Sequence, residues 1–505
     1  MKQEKKESIT ASVVKNSFWN FLTVLFAKIG GLIFTIIIAR YLLPEKFGIY
    51  SLAMSITLIL LTFADLGINQ TLIRYFSESY NSKNKGFALL QYKYLLKFKL
   101  LLTLFFAFML MILSYPLSVY IFNKPLLFLP LIFSSFYLIV SAIESFYESF
   151  FFVVKKVEYL TIKQFFWEIL RNLIVLLVFL LIAGQYQVIG VISVMILSTL
   201  FALIFVLYSL KRVVPFLFSK QKAGVGKLDK LRINKFLIYL SIGSALLMIF
   251  AYVDSIQIGI FLPSEYVGYY TAAFSFIGGL CSLITIANVL LPVFTQLRKR
   301  QLNKFFEKIF RYTSLIAIPM AFGIIVLAKF IIVAVYGYDY LPAVLPLYFL
   351  AFLILETPLT NNLKSLFSAK ENLKYFVIII SLATFMNIIL NFILITSLSK
   401  FSLVWGMTGA AISTLVTRYF YLIILSLYTK KETGIRFNFV YILKPLFASI
   451  IMASVLFFIN SNIPQMTLPI GIGEIILGIL IYFSVLFLIK GIKKQDFLLI
   501  KQLIK

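Results

Sequence analysis

The sequence predicts an all-α polytopic membrane protein. Its fourteen transmembrane helices form two parallel six-helix bundles around a central cavity, plus two C-terminal helices. Three observations carry this reading. Hydrophobic residues make up 61% of the 505-residue chain and charged residues only 13%, far from the balance of a soluble domain. Runs of about 20 apolar residues, enough to cross roughly 30 Å of hydrocarbon, recur from Phe18 to Lys490. The polar breaks between these runs alternate between basic and cation-poor.

The first run, about 17–40, follows a polar and basic stretch, Met1 to Lys15. That stretch lacks the short apolar region and small-residue cleavage site of a signal peptide, so the first span is expected to be retained. It leads into Tyr41-Leu42-Leu43-Pro44-Glu45-Lys46-Phe47-Gly48-Ile49-Tyr50. Proline cannot continue a helix and glycine permits a sharp reversal, so this stretch reads as a helical hairpin at a membrane face. It opens the second span, 47–76. Further spans are predicted near 96–115, 125–148, 162–184, 187–210, 234–262, 268–297, 310–336, 341–367, 375–397, 403–427, 441–460 and 470–489.

One set of connections is basic: the N-terminus, Lys83 to Lys99, Lys155/Lys156/Lys163, Lys211 to Lys235, Arg298 to Lys308, Lys364/Lys370/Lys374, Lys430 to Lys444, and the tail from Lys490. The other set is short and nearly free of cations, as at Asn123-Lys124, Pro263 to Tyr266 and Leu398 to Lys400. The alternation stays in phase through all fourteen spans. The positive-inside rule then places the basic set and both termini in the cytoplasm. The net charge of +28 is thus read as a topology signal, and no nucleic-acid partner is implied.

The chain also repeats itself. Phe261-Leu262-Pro263-Ser264-Glu265-Tyr266-Val267-Gly268 resembles the first hairpin, with Pro44 and Pro263 at an offset of 219 residues. The same offset relates Asn172 to Asn391 and Gly190 to Gly409. We therefore expect a six-helix bundle over 1–212, a basic cytoplasmic linker over 213–233, a second bundle over 234–430, and two further helices with a tail over 431–505. An even number of helices per copy gives both copies one orientation, the parallel-repeat arrangement of transporters that rock around a central cavity.

Ionisable residues at bilayer depth are costly and should face the bundle interior or water. Lys28, Asp65, Glu144, Glu168, Arg171, Asp254, Glu356 and Arg418 fall in this class. Glu168 and Arg171 lie three apart and either neutralise each other or face the cavity. Lys28, Asp254, Glu356 and Arg418 have no opposite charge within a helical turn, which favours a cavity role. Asn387 and Asn391 share one helix face, where interhelical hydrogen bonding competes with substrate contact. Arg74 with Glu78 reads as a snorkelling pair, and Glu144 with Glu148 as cavity lining or structure. No catalytic or cofactor motif is present. There is no histidine, no Walker A sequence, and one cysteine, Cys281, inside an apolar run. Gly224-Val225-Gly226 lies in the basic linker without a flanking strand. The chain is expected not to be an enzyme and to need neither cofactor nor metal.

The hairpin Ala39-Arg40-Tyr41-Leu42-Leu43-Pro44-Glu45-Lys46-Phe47-Gly48-Ile49-Tyr50 resembles the opening signature of the polysaccharide and O-antigen flippases (Wzx-like) of the multidrug/oligosaccharidyl-lipid/polysaccharide (MOP) exporter superfamily. Asp65-Leu66-Gly67-Ile68 and Asn387-Ile388-Ile389-Leu390-Asn391, followed by Gly409-Ala410-Ala411-Ile412-Ser413, resemble two more of its motifs. The resemblance implies movement of a polyprenyl-linked oligosaccharide from the inner to the outer leaflet of the cytoplasmic membrane for surface polysaccharide synthesis. Cavity cations Lys28, Arg171 and Arg418 are then expected to hold the phosphate or diphosphate. Asp65, Asp254 and Glu356 are the candidate acids for coupling to a proton or sodium ion, with Asn387 and Asn391 as polar lining. Membrane lipids and glycan-assembly proteins are the expected partners. The alternatives are a cation-coupled multidrug exporter of the same fold and a membrane-embedded glycosyltransferase or polymerase. The mixed charge of the predicted cavity argues against the first, and the short outer loops against the second.

Overall fold

The computed structural model describes residues 2–82, 84–218, 230–284, 299–369, 373–434, 440–463 and 467–491. The linker glycines, the predicted end of the eighth span, Arg298, Lys370, Arg436 and the tail past 491 lie outside the described residues. Every element among the described residues is helical: α1 (Lys2–Asp65), α2 (Lys85–Pro116), α3 (Phe128–Val153), α4 (Glu158–Leu181), α5 (Gln187–Val213), α6 (Lys230–Phe261), α7 (Ser264–Ile284), α8 (Lys299–Tyr336), α9 (Val344–Leu350), α10 (Leu353–Ala369), α11 (Leu373–Leu398), α12 (Leu403–Thr433), α13 (Val440–Ser461) and α14 (Leu468–Leu488), with short turns between some of them. Twelve segments are long and apolar enough to cross a membrane, or thirteen when a bent pair is counted as one more span. Large apolar side chains such as Leu180, Leu181, Phe458 and Leu488 point outward, as a hydrocarbon solvent demands and water would not tolerate.

Helix α1 is not one rod. Leu43 sits at φ 60°, ψ 168°, where L-residues rarely go, and Pro44 follows it. Residues 27–35 and 47–55 line one small cavity. A straight helix would set Lys28 and Met54 about 39 Å apart at 1.5 Å per residue, so the chain must double back at Leu43-Pro44. The segment predicted as one helix over 341–367 is broken into α9 and α10, bent by 54°. The second predicted span departs from regular α geometry after Asp65: Gly67 adopts φ 70° and Leu72–Phe76 widens into a π turn.

Helices related by the 219-residue offset pack alike. Helix α1 packs on α4 as α6 packs on α11, α4 on α5 as α11 on α12, and α3 on α5 as α9 and α10 on α12. The glycines at the repeat offset mark the second of these contacts. A Cβ on Gly190 would collide with Val178 of α4 and with Ile182 just past its end, and one on Gly409 with the Leu394 carbonyl of α11. Small residues that let helix backbones approach are the usual device of membrane packing. Helices α13 and α14 stand to one side, against α8.

Candidate functional site

A cavity of about 460 Å³ is walled by both arms of α1 and by α6 and α7. Its lining is hydroxylic and aromatic: Thr35, Ser51, Ser55, Ser255 and Ser275, with Tyr50, Tyr252 and Phe274. Among the described residues, the buried Oγ of Ser51 and Oγ1 of Thr271 have no hydrogen-bond partner. Gly278 leaves open space where a side chain would stand. Lys28 lines this cavity and is exposed, with no ion pair among the described residues. Its ammonium is therefore free to meet an anion.

The other two predicted phosphate ligands are engaged. Arg171 is buried, paired with Glu168 at 2.5 Å, and sandwiched between Phe34 and Trp167 at 4.3 and 4.1 Å from their ring centres. Glycine at position 30 makes room for the Glu168 carboxylate, and Asn172 ties α4 to α1 by donating to the Gly30 carbonyl at 3.3 Å. The same helix carries Lys163, which bridges Glu144 (2.8 Å) and Glu148, so that acid pair is a buried ion cluster. Arg418 stands 4.0 Å from Glu356, whose carboxylate also accepts from Thr357 and Thr360. Its guanidinium lies 5.7 Å from the ring centre of Phe274, a cavity-wall residue, and its Nε is unpartnered.

Asp254 of α6 gathers groups from three other helices. It accepts hydrogen bonds from Asn391 Nδ2 (2.7 Å), Tyr270 Oη (2.7 Å) and Thr414 Oγ1 (2.6 Å). Asn387 donates to Thr417 at 3.2 Å and to Ser413 at 3.4 Å, and Asn391 Oδ1 has no partner among the described residues. The result is a buried cluster of one carboxylate, two amides and four hydroxyls. Asp65 lies elsewhere, bound at 2.6 Å to Lys99 in a separate space of about 340 Å³ that also touches Ser244, Leu247 and Met248 of α6. The structure thus unites Asp254 with Asn391 and Asn387, and Glu356 with Arg418. It leaves Lys28 and Asp65 apart from both groups.

Sequence reasoning missed Tyr270, Thr414 and the groups that close the cavity at its hairpin end. The Gly48 and Gly268 backbones meet there: a Cβ on either would strike the opposite chain at Ser264 or Pro44. Lys124 donates to the carbonyls of Phe122 (3.1 Å), Gly259 (2.5 Å) and Leu262 (2.9 Å), and Arg40 to those of Val335 (2.7 Å) and Ala334. Tyr340 donates to Ala39 O at 2.8 Å. Both cations from the first half thus cap the C-terminal ends of α6 and α8 in the second, where the helix dipole favours positive charge.

The family model described as "Polysaccharide biosynthesis protein" matches residues 13–298. No curated protein matches the chain. Among solved structures, the chain is similar to the lipid II flippase MurJ in an inward closed conformation, with TM-score 0.71 and 17% identity over 93% of this chain and 97% of that one. An inward-facing MATE multidrug-resistance transporter of the MOP superfamily matches at TM-score 0.53 and 13% identity, over 83% and 94%. A MOP transporter from Pyrococcus furiosus, described as having a binding pocket of reverse polarity, matches at 0.55 and 12%, over 84% and 95%. At these identities the likeness establishes the fold. The family match extends over more than half of the chain, and the protein is therefore a multi-pass membrane member of the polysaccharide biosynthesis protein family with the MOP-superfamily fold.

Proposed function

We propose that the protein flips a polyprenyl phosphate- or diphosphate-linked oligosaccharide from the cytoplasmic to the outer leaflet, by alternating access coupled to an ion gradient. The observation that carries this reading is the exposed, unpaired Lys28 in a hydroxyl- and aromatic-lined cavity. A phosphate headgroup needs a cation in a poorly solvated place, and sugar rings need hydroxyl partners and flat aromatic faces. Arg418, one side-chain layer behind Phe274, and Arg171, behind Gly31, stand close to the cavity, each already paired with a carboxylate. The Asp254 cluster is our candidate for the coupling ion. We count fourteen spans, two in α1 and one in the α9–α10 pair, with both termini in the cytoplasm. Residues 1–212 and 234–430 are then parallel lobes, a reading supported by the matched packing of their helices. A cationic drug would meet Lys28 on entering, which disfavours the multidrug reading.

The test is translocation of a fluorescent polyprenyl-diphosphate oligosaccharide in vesicles reconstituted with the full chain. Lys28→Ala should slow flipping at least tenfold, and Lys28→Arg should retain most of it. Arg418→Ala should weaken it less, because that cation is already shared with Glu356. Wild-type rates in both alanine variants would remove the headgroup assignment.

A further inference from the structure

Outside the central cavity, the groove between α8, α13 and α14 has a volume of about 590 Å³ and an almost wholly apolar wall, including Leu315, Phe330, Leu468 and Ile479. One carboxylic acid interrupts it. Glu474 is 4% exposed, lines the groove, and has no hydrogen-bond partner for either oxygen among the described residues. It sits six residues into α14, about 9 Å below the end of the helix at 1.5 Å per residue. Among the described residues no cation answers it. On α8, Lys329 is exposed and outside the groove wall, while Lys304, Glu307, Lys308 and Arg311 lie near the opposite end. Lys444 of α13 donates to the Ile489 and Lys490 carbonyls at that same far end. Glu265 of α7 stands at the hairpin turn, and the one other titratable group of the wall, Tyr482, donates to Leu315 O.

A bare carboxylate in a hydrocarbon-walled groove would cost several kcal/mol, with nothing here to offset it. We propose that Glu474 is a proton-binding site, carrying a proton while hydrocarbon fills the groove and releasing it when water enters. Protonation and filling by an apolar chain then favour each other by the same factor, since the coupling of two binding events is reciprocal. This site lies apart from the Asp254 cluster and holds whether or not the protein moves a glycolipid.

The experiment uses the full chain in lipid nanodiscs. Infrared spectra of the wild type and Glu474→Gln, an isostere that keeps the packing, are subtracted at neutral pH. The expected difference is loss of one protonated-carboxyl carbonyl band. Dicyclohexylcarbodiimide, which attacks protonated acids in apolar surroundings, should label the Glu474 peptide by mass spectrometry, with labelling falling as pH rises. A difference confined to carboxylate bands, as an ion pair with an amine-headed lipid would give, overturns the proposal. So does labelling that ignores pH. If the variant fails to fold, the pH profile of wild-type labelling still decides.

Discussion

Lys28, Arg171 and Arg418 carry the same charge but not the same availability. A buried ion pair has already exchanged solvation for a fixed partner, so breaking it to bind a ligand strands the other charge. Arg171 is held that way by Glu168 and two aromatic rings, while Lys28 lines the cavity with no ion pair among the described residues. Asp254 is the opposite case, a carboxylate whose neighbours are neutral donors. If it holds sodium, the folded protein should gain stability in sodium chloride over choline chloride. The gain should be about 2.7 kcal/mol at a hundred times the dissociation constant. Asp254→Ala should abolish that increment in a thermal-shift titration, and an unchanged increment would move the ion elsewhere. The face shared by Asn387 and Asn391 was legible in the sequence because it depends on helical spacing alone. Their meeting with Asp254 was not, because it depends on the register between helices more than 130 residues apart.

At the scale of elements, the hairpin at Leu43-Pro44 does two jobs. It turns α1 back on itself, and it brings Gly48 against Gly268, where only hydrogen fits. Around that contact, Arg40 and Lys124 each cap a helix of the other half. Such caps contribute about 0.3–1 kcal/mol each, and up to ~2 kcal/mol when partly buried. Removing one should therefore shift the balance between sealed and open forms by about 2- to 30-fold. Spin labels placed across the hairpin end should show a larger open population in Arg40→Ala and Lys124→Ala, and a larger one still in Gly48→Val. Distances unchanged in all three variants would mean that these groups do not hold the seal. Proline and glycine announced both hairpins in the sequence. The break between α9 and α10 also falls within a proline-containing stretch, Pro342 to Pro358, yet its length and hydropathy match an unbroken span. The meeting of the hairpins had no local signal, since neither copy contains information about the other's position.

At the scale of the molecule, the seal and the cavity impose an order on any transport cycle. With the hairpin end closed by backbone contact, a bulky headgroup can leave on that side only if the two halves separate there. Hydrogen bonds to helix-end carbonyls suit such a joint, because water can replace them at a limited net cost, about 1.5–3 kcal/mol apiece for charged donors. An apolar seal of the same area would resist wetting more strongly. A tether across the joint should then stop transport without touching the cavity. Lys124→Cys combined with Leu262→Cys, joined by a short cleavable bifunctional reagent, places that tether where Lys124 now reaches the Leu262 carbonyl. Flipping in vesicles should fall to the level of empty liposomes on cross-linking and return on cleavage to the rate of the untreated double variant. Each single cysteine variant should be indifferent to the reagent. Binding of a soluble headgroup analogue from the basic side should persist in the tethered protein, because the cavity and Lys28 are unaltered. Transport that continued through an intact tether would mean that the substrate does not pass between the halves, and the rocking of two lobes about this cavity would have to be abandoned.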